Sequence, residues 1–353
     1  MENATIEHHP RLYFVDGDVV LAVKQPQSDQ ESQPQYQGFR VHKAVLRLHS
    51  PIFAHMLSDA TPGQSYDEAP LVEMAGDDAS AVASLLMWLY FPLEMDTERW
   101  NPDTPITVAP IVRLATKYLM DTLRSHLIKK VVADWPRTLE EWNRQEAEIR
   151  AMRADRALSM THDNFSRVVP EPAAAITFAL EFGCTEILPA AFYTLSCIDI
   201  NHDWDRAQPR GDSYFRLARW SMLESRELLR FLRGCDALEK FCNEKRTWPD
   251  IAIERILDAR CRMDPEVLDD GKEPLPTPCK AYLFNMFSVL WKAGLRDPLQ
   301  SLQNSLNSEC FPRSFKARSL CSNCYSNLHD WVPKERKRVW ENLATYFELS
   351  DLK

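Results

Sequence analysis

Glycine is scarce: nine occur in 353 residues and they are scattered. No Gly-x-Gly-x-x-Gly, no Walker loop, no Gly-x-Ser-x-Gly and no His-Glu-x-x-His is present, so the common signatures of nucleotide chemistry and hydrolysis are missing. Basic charge is also short. Against 42 Lys and Arg stand 51 Asp and Glu, a net charge of −9, which excludes a whole-protein basic field for nucleic acid. Long apolar runs are absent too. The most apolar stretch, Ala79 to Leu93, falls below the roughly 20 residues that span a bilayer and reads as a buried helix. Met1 to Pro10 is polar, with two histidines and no secretory apolar core. Nine cysteines, an odd number without a leader, predict reduced thiols and an intracellular protein, in cytoplasm or nucleus, rather than a disulfide frame. No internal repeat is visible.

What is present is ordinary globular composition, 45% hydrophobic and 26% charged, in a chain long enough for two domains. Its most informative stretch is Asp16 to Leu57. Asp16-Gly17 is a turn before Val19 to Val23, a buried-strand pattern, and Phe39 to Val41 is a second β-prone run. They form a hairpin around a soft loop, Lys24 to Gly38, whose Gln, Ser and Pro content predicts a mobile excursion. Val41, Val45 and Leu48 then repeat at helical spacing. Ser50-Pro51 restarts the chain with an N-cap and a first-turn proline, and Ile52, Phe53, Met56 and Leu57 make the next apolar face.

This order of strand, strand, helix and capped helix resembles the start of a BTB/POZ domain. The resemblance lies in Asp16-Gly17-Asp18-Val19-Val20-Leu21, in Phe39-Arg40-Val41-His42-Lys43-Ala44-Val45-Leu46, and in Ser50-Pro51-Ile52-Phe53. A strand at Leu71 to Met74, a helix at Ala79 to Tyr90 capped by Asp77-Asp78, and helices at Ile106 to Met120, with Pro110 in its first turn, and at Thr122 to Trp135 complete the pattern. The expected organisation is a flexible N-terminus over 1–10, a BTB/POZ domain over 11–133 and a helical region over 134–353. The fold class is α+β, a small sheet flanked by helices followed by an all-helical region.

Beyond residue 134 the reading gives helices at Arg137 to Ser159, Pro170 to Gly183, Ile187 to Cys197, Ser225 to Arg233, Ala237 to Cys242, Pro249 to Cys261, Ala281 to Ala293 and Lys334 to Leu349, with a Pro-rich loop at Asp264 to Pro278. This half resembles the helical C-terminal region of fungal BTB proteins, through Ile187 to Ser196, Leu320 to Cys324 and Arg338 to Leu343.

Cys321-x-x-Cys324 can chelate a metal from a turn. A redox couple would expect a βαβ neighbourhood, and none is visible. A structural zinc needs two more ligands. Cys261 and Cys279 bracket the Pro-rich loop, and the resemblance to the fungal proteins points to them; Cys310 and His329 are alternatives nearer in sequence. The competing reading is that all four are small buried hydrophobes. Cys184, Cys197 and Cys235 sit in apolar helical settings and read as core.

The resemblance marks Asp18, His42, Phe53, Met56 and Leu57 as signature and interaction positions. It places Asp18 and His42 inside the domain, holding the sheet to the first helix, and no nucleophile accompanies them. The basic cluster Lys334, Arg336, Lys337 and Arg338 reads as a solvated helix face, with nuclear import as the functional alternative. The expected function is non-catalytic, a protein-interaction module or scaffold with protein partners that include a second copy of itself. Two narrower readings compete: a substrate adaptor of a cullin-type ubiquitin ligase, and a transcription or chromatin regulator. Adaptors carry a hydrophobic-x-Glu signature just after the helix that ends at Leu57; this chain has Ala60-Thr61-Pro62-Gly63 there, and it has no kelch or MATH-like module and no zinc-finger array. Neither nucleic acid nor membrane is an expected partner.

Overall fold

The computed structural model describes residues 5–25, 35–58, 64–95, 98–159, 165–206, 215–262, 278–291, 296–306 and 320–352, with the backbone alone over 155–159. The expected loop over Lys24 to Gly38 and the Pro-rich loop lie largely outside these residues, as does Cys310. The chain divides into two compact units, Met1–Asp134 and Trp135–Lys353.

The first unit is built on a five-stranded sheet of order β1-β3-β2-β5-β4. Its strands are β1 (Thr5–Tyr13), β2 (Val19–Lys24), β3 (Gln35–Val41), β4 (Ser65–Tyr66) and β5 (Ala69–Glu73). β2 and β3 form the antiparallel hairpin, with Val19 opposite Val41 and Lys24 opposite Tyr36. β5 joins β2 in parallel, so Val19 to Val23 lie at the centre of the sheet and are fully buried. A strand covered on both faces needs no polar alternation, which is why this run is uniformly apolar. β1 starts at Thr5, six residues before the Arg11 boundary read from the sequence, so the segment expected to be flexible is paired in parallel with β3. Its register shifts between His8 and Tyr13, the interval that holds Pro10, which has no N–H to give a ladder.

Helices α1 (Lys43–His49), α2 (Pro51–Ser58), α3 (Ala79–Tyr90), α4 (Thr104–Lys117) and α5 (Asp121–Ala133) flank the sheet. Ser50 caps α2 as its sequence implies: its Oγ accepts the Phe53 N–H at 3.0 Å and donates to the Tyr118 carbonyl at 2.6 Å. Asp78 caps α3 through the Ala81 N–H at 2.9 Å. α4 begins two residues earlier than expected, with Pro105 in its first turn, so Pro110 lies inside the helix.

The second unit is helical. It comprises α6 (Leu139–Ser159), α7 (Pro172–Phe182), α8 (Leu188–Ser196), α9 (Ser225–Thr247), α10 (Pro249–Ile256), α11 (Ala259–Arg262), α12 (Pro278–Leu290), α13 (Pro298–Asn304), α14 (Ser322–Glu341) and α15 (Leu343–Tyr346). Two departures from the sequence reading are informative. Residues 225–247 form one helix where two were expected, and Gly234 lies within it. That glycine is there for space: a Cβ at this position would run into the Phe347 ring, which is fully buried. α14 starts twelve residues before Lys334 and continues through Pro333, so Cys324 is helical and Cys321 is its N-cap. Gly183 ends α7 with φ 76°, the left-handed conformation that glycine adopts without cost. Phe178, Phe192, Tyr193, Phe287, Trp291 and Phe347 fill the core of this unit.

Candidate functional site

Four thiols from three parts of the sequence meet in the second unit. Cys261 comes from α11, Cys279 from the first turn of α12, and Cys321 and Cys324 from the start of α14. Their sulfur atoms all lie within 4.8 Å of one another, and the Cys261 and Cys321 sulfurs are 3.7 Å apart. Zn–S bonds of about 2.3 Å in a tetrahedron place sulfurs about 3.8 Å apart, so the closest pair is already at ligand spacing and the widest closes by about 1 Å.

The surrounding backbone suits thiolates. The Cys324 N–H points at the Cys321 sulfur at 3.5 Å, the Cys321 N–H at the Cys279 sulfur at 3.3 Å, and the Asp258 N–H at the Cys324 sulfur at 3.2 Å. Such donors stabilise negative sulfur, and an N-cap position adds the field of the helix terminus. The Cys324 N–H pulls the Cys321 thiol down to about 7. Burial pushes Cys324 up to about 11 and raises Cys261 as well. A divalent cation would resolve that opposition, because it deprotonates the thiols it coordinates. Cys279 and Cys324 are buried, Cys261 is half-buried and Cys321 is exposed, so the cluster sits at the rim of the core with a path for an ion. His329, the alternative ligand, is outside the cluster and its ring packs on Tyr325 with centroids 4.4 Å apart.

None of the eight described cysteines is in a disulfide. Cys184 and Cys242 are buried, while Cys197 and Cys235 are half-buried. The basic cluster is split by the turn of α14. Lys334, Lys337 and Arg338 are exposed, but Arg336 is buried and donates to the Leu299 carbonyl at 3.1 Å, to Gln303 at 2.7 Å and to Asn143. Residues 332, 336 and 339 share the inward face of the helix, and this spacing could have flagged Arg336 from the sequence.

In the first unit the signature residues do structural work. The Asp18 carboxylate accepts the Lys43 N–H at 2.6 Å and so caps α1 from the neighbouring loop, where the N-cap residue His42 makes no side-chain cap. The His42 N–H donates to the Tyr90 hydroxyl at 2.9 Å, and its Nδ1 lies 3.1 Å from the same oxygen. These bonds tie α1 to α3, and the His42 Nε2 lies 3.4 Å from the Asp16 carboxylate; among the described residues Asp18 and His42 belong to no cluster of three or more metal-ligating side chains. Phe53 and Leu57 are buried, Phe53 stacking on Tyr118 with centroids 4.5 Å apart; Met56 is half-buried. The bare apolar side chains of these helices are instead Leu48 and Ile52. Residues 59–63, the place of the hydrophobic-x-Glu signature, lie outside the described residues.

Residues 17–134 match the BTB/POZ domain family. No curated protein matches the chain, and the match ends where the first unit ends, so the likeness of the second half to fungal proteins gains no support. The first unit carries a BTB/POZ domain, a module of protein–protein interaction, and a helical region follows it. Among the described residues no helix is long and apolar enough to cross a membrane.

Proposed function

We propose that the protein is an interaction scaffold whose BTB/POZ domain binds a second copy of the chain, and that a structural zinc held by Cys261, Cys279, Cys321 and Cys324 clamps its helical region. The interaction reading is supported by the family match together with the uncovered Leu48 and Ile52 on α1 and α2. Sedimentation of the full chain tests self-association. A monomer–dimer equilibrium abolished by Leu48→Asp is the expected result; a monomer at all concentrations overturns it. Phe53 and Leu57 are unsuitable for this test, because their burial makes any polar substitution unfold the domain. The cullin-adaptor reading is decided by titrating a cullin N-terminal domain into the same protein. Micromolar or tighter binding would put it ahead of the scaffold reading.

The zinc is supported by the single observation that four thiols separated by up to 63 positions converge within 4.8 Å. Its chemistry at this site is structural: four thiolates close the coordination shell and leave no position for substrate. Elemental analysis of protein purified without chelator should give one zinc per chain. Chelation should lower the unfolding temperature of the helical region and leave the BTB/POZ domain in place, since binding energy at such sites is folding energy. Absence of zinc in folded protein would leave four packed thiols and refute the clamp. The domain organisation carries a related proposal, that residues 1–134 fold alone. The fragment must keep Thr5 to Pro10 for β1 and Asp134, whose Oδ1 accepts the Trp100 N–H at 3.2 Å. A cooperative melt of 1–134, and a less stable or aggregated 11–133, is the expected pair of results.

A further inference from the structure

Helix α6, the segment after α8, and the residues around 216 and 296 line a half-open cavity of about 310 Å³ in the second unit, and none of the four clustered cysteines is part of its lining. Four guanidinium groups line it, from Arg150, Arg153, Arg216 and Arg296. Three carboxylates line it too, and each is engaged. Glu146 pairs with Arg216 at 2.9 Å, and Asp199 pairs with Arg296 at 2.9 Å. Asp297 accepts from the Tyr193 hydroxyl at 2.7 Å and from the Gln300 N–H at 2.9 Å.

The lining therefore carries one net positive charge, and its two remaining cations, Arg150 and Arg153, are exposed. Arg150 donates to the neutral side-chain oxygen of Gln300, and Arg153 lies over the Phe165 ring, 4.6 Å from its centroid. Among the described residues neither forms an ion pair. Burial and the neighbouring Arg216 hold the Arg153 guanidinium below its usual pKa, against the opposing influence of Glu146. A concavity with an excess of one sign of charge attracts the opposite sign.

We propose that this cavity binds the phosphate group of a small molecule, with Arg150 and Arg153 as the principal ligands. The net positive lining favours an anion, and phosphate oxygens accept the forked N–H pairs that guanidinium groups present. The cavity is also larger than one phosphate needs, and part of its wall is flat. His202 and Phe215 stack with centroids 4.3 Å apart, and Trp142 lines the same space. An aromatic ring attached to the phosphate has a surface to lie on.

Calorimetric titration of the full chain tests the site, with inorganic phosphate and adenosine 5′-monophosphate as probes and chloride at matched ionic strength as the control. Saturable one-to-one binding of phosphate-bearing probes, absent with chloride, is expected. Arg150→Gln and Arg153→Gln should each weaken it roughly tenfold or more, since each removes a charge-assisted hydrogen bond. The melting temperature of the ligand-free variants should fall little, because both arginines are exposed and the contacts each loses there, with Gln300 or Phe165, add little. Tighter binding of the nucleotide supports a phosphorylated ring compound; equal affinity supports phosphate itself. Absence of saturable binding by either probe, or unchanged affinity in a variant that stays folded, overturns the proposal. Either variant suffices if the other misfolds.

Discussion

Among the described residues the first unit buries Ser50, Thr104 and one carboxylate, that of Asp77, which pairs with Lys117 at 2.6 Å; the second buries Glu171, Arg219, Arg230, Glu335 and Arg336. The difference follows from how each unit fixes its elements. In a sheet the ladder bonds set register, and a one-residue slip would carry every apolar side chain of an exposed-faced strand to the wrong side. Helices packed on helices have no such ladder. Their rotation and axial position are set by side chains, and here buried polar groups supply the fixed points. Glu171 accepts the Ala173, Ala174 and Arg219 N–H groups, at 3.0, 2.7 and 3.0 Å, holding α7 to the segment before α9. Tyr193 is bonded to both Asp297 and the Leu299 N–H, which locates α13 against α8. Arg230 donates to the Glu348 carbonyl and pairs with Asp351 at 2.9 Å, drawing the end of the chain onto α9. Backbone pairing specifies most of the first unit, with Asp77 as its one buried charge among the described residues; placed charges specify the second.

The comparison breaks most sharply at one ion pair and one ring. Lys245 and Glu335 meet at 2.8 Å with side chains 13% and 7% exposed. Lys245→Met should cost up to about 3–5 kcal/mol, because it leaves a buried carboxylate with only the exposed Arg338, 3.8 Å away, as a cationic partner among the described residues. The double variant Lys245→Met/Glu335→Leu should recover most of that loss, since the pair itself adds little over apolar packing. In the first unit Phe53→Ala should cost a similar 3–5 kcal/mol through a cavity, and no second substitution of a polar partner should restore it. Urea unfolding of the full chain reads all three. A double variant no better than Lys245→Met would mean that the charges matter for stability itself, and the contrast with the sheet would lose its basis.

This contrast also explains what the sequence disclosed. The buried run Val19 to Val23, the Ser50 and Asp78 caps and the helix over 79–90 were legible, because each is a local pattern with a local cause. The closeness of Cys321 and Cys324 was legible from their spacing for the same reason. The continuous helix over 225–247 was not, because Gly234 looks like a breaker until Phe347, more than a hundred positions away, is seen to occupy its missing side chain. The early start of α14 was hidden by Pro333, which the helix accommodates. The arginine cavity was invisible: its four guanidinium groups come from three separate segments, and no spacing along the chain joins them. The inward turn of Arg336 was readable from the spacing of Val332 and Val339, but four basic residues within five positions suggested an exposed face.

Gly234 offers a middle-sized test on the second unit. Gly234→Ala has two opposed effects. Alanine favours the helix by up to about 1 kcal/mol over glycine, yet its methyl group must displace the Phe347 ring. Overpacking of this kind costs about 1–3 kcal/mol. The net expectation is a loss of stability, relieved by Phe347→Leu in the same chain. A stabilised Gly234→Ala would show that the ring moves freely, and the close approach of α9 to the end of the chain would then not constrain this unit.

The smallest expected effect lies in the first unit and depends on pH. Asp134 is half-buried at the end of α5, and burial pushes its carboxyl up to about 6, above the ordinary 3.8, against the opposing influence of the Trp100 N–H, Arg99 and Lys130. The folded state therefore binds this proton more tightly than the unfolded chain does. Its contribution to stability is complete below pH 3.8 and is lost as the pH rises through about 6. Asp134→Asn keeps an oxygen for the Trp100 N–H and removes the charge. At pH 7.5 the variant should be more stable than the parent by on the order of 1–2 kcal/mol, and the two should converge towards pH 4. Thermal melts of both proteins across that range supply the measurement. A parent that is more stable at pH 7.5, or a difference that does not change with pH, would mean that the carboxylate is well paired when charged. Asp134 would then join Asp77 as a placed charge in the first unit, which would narrow the contrast with the helical unit.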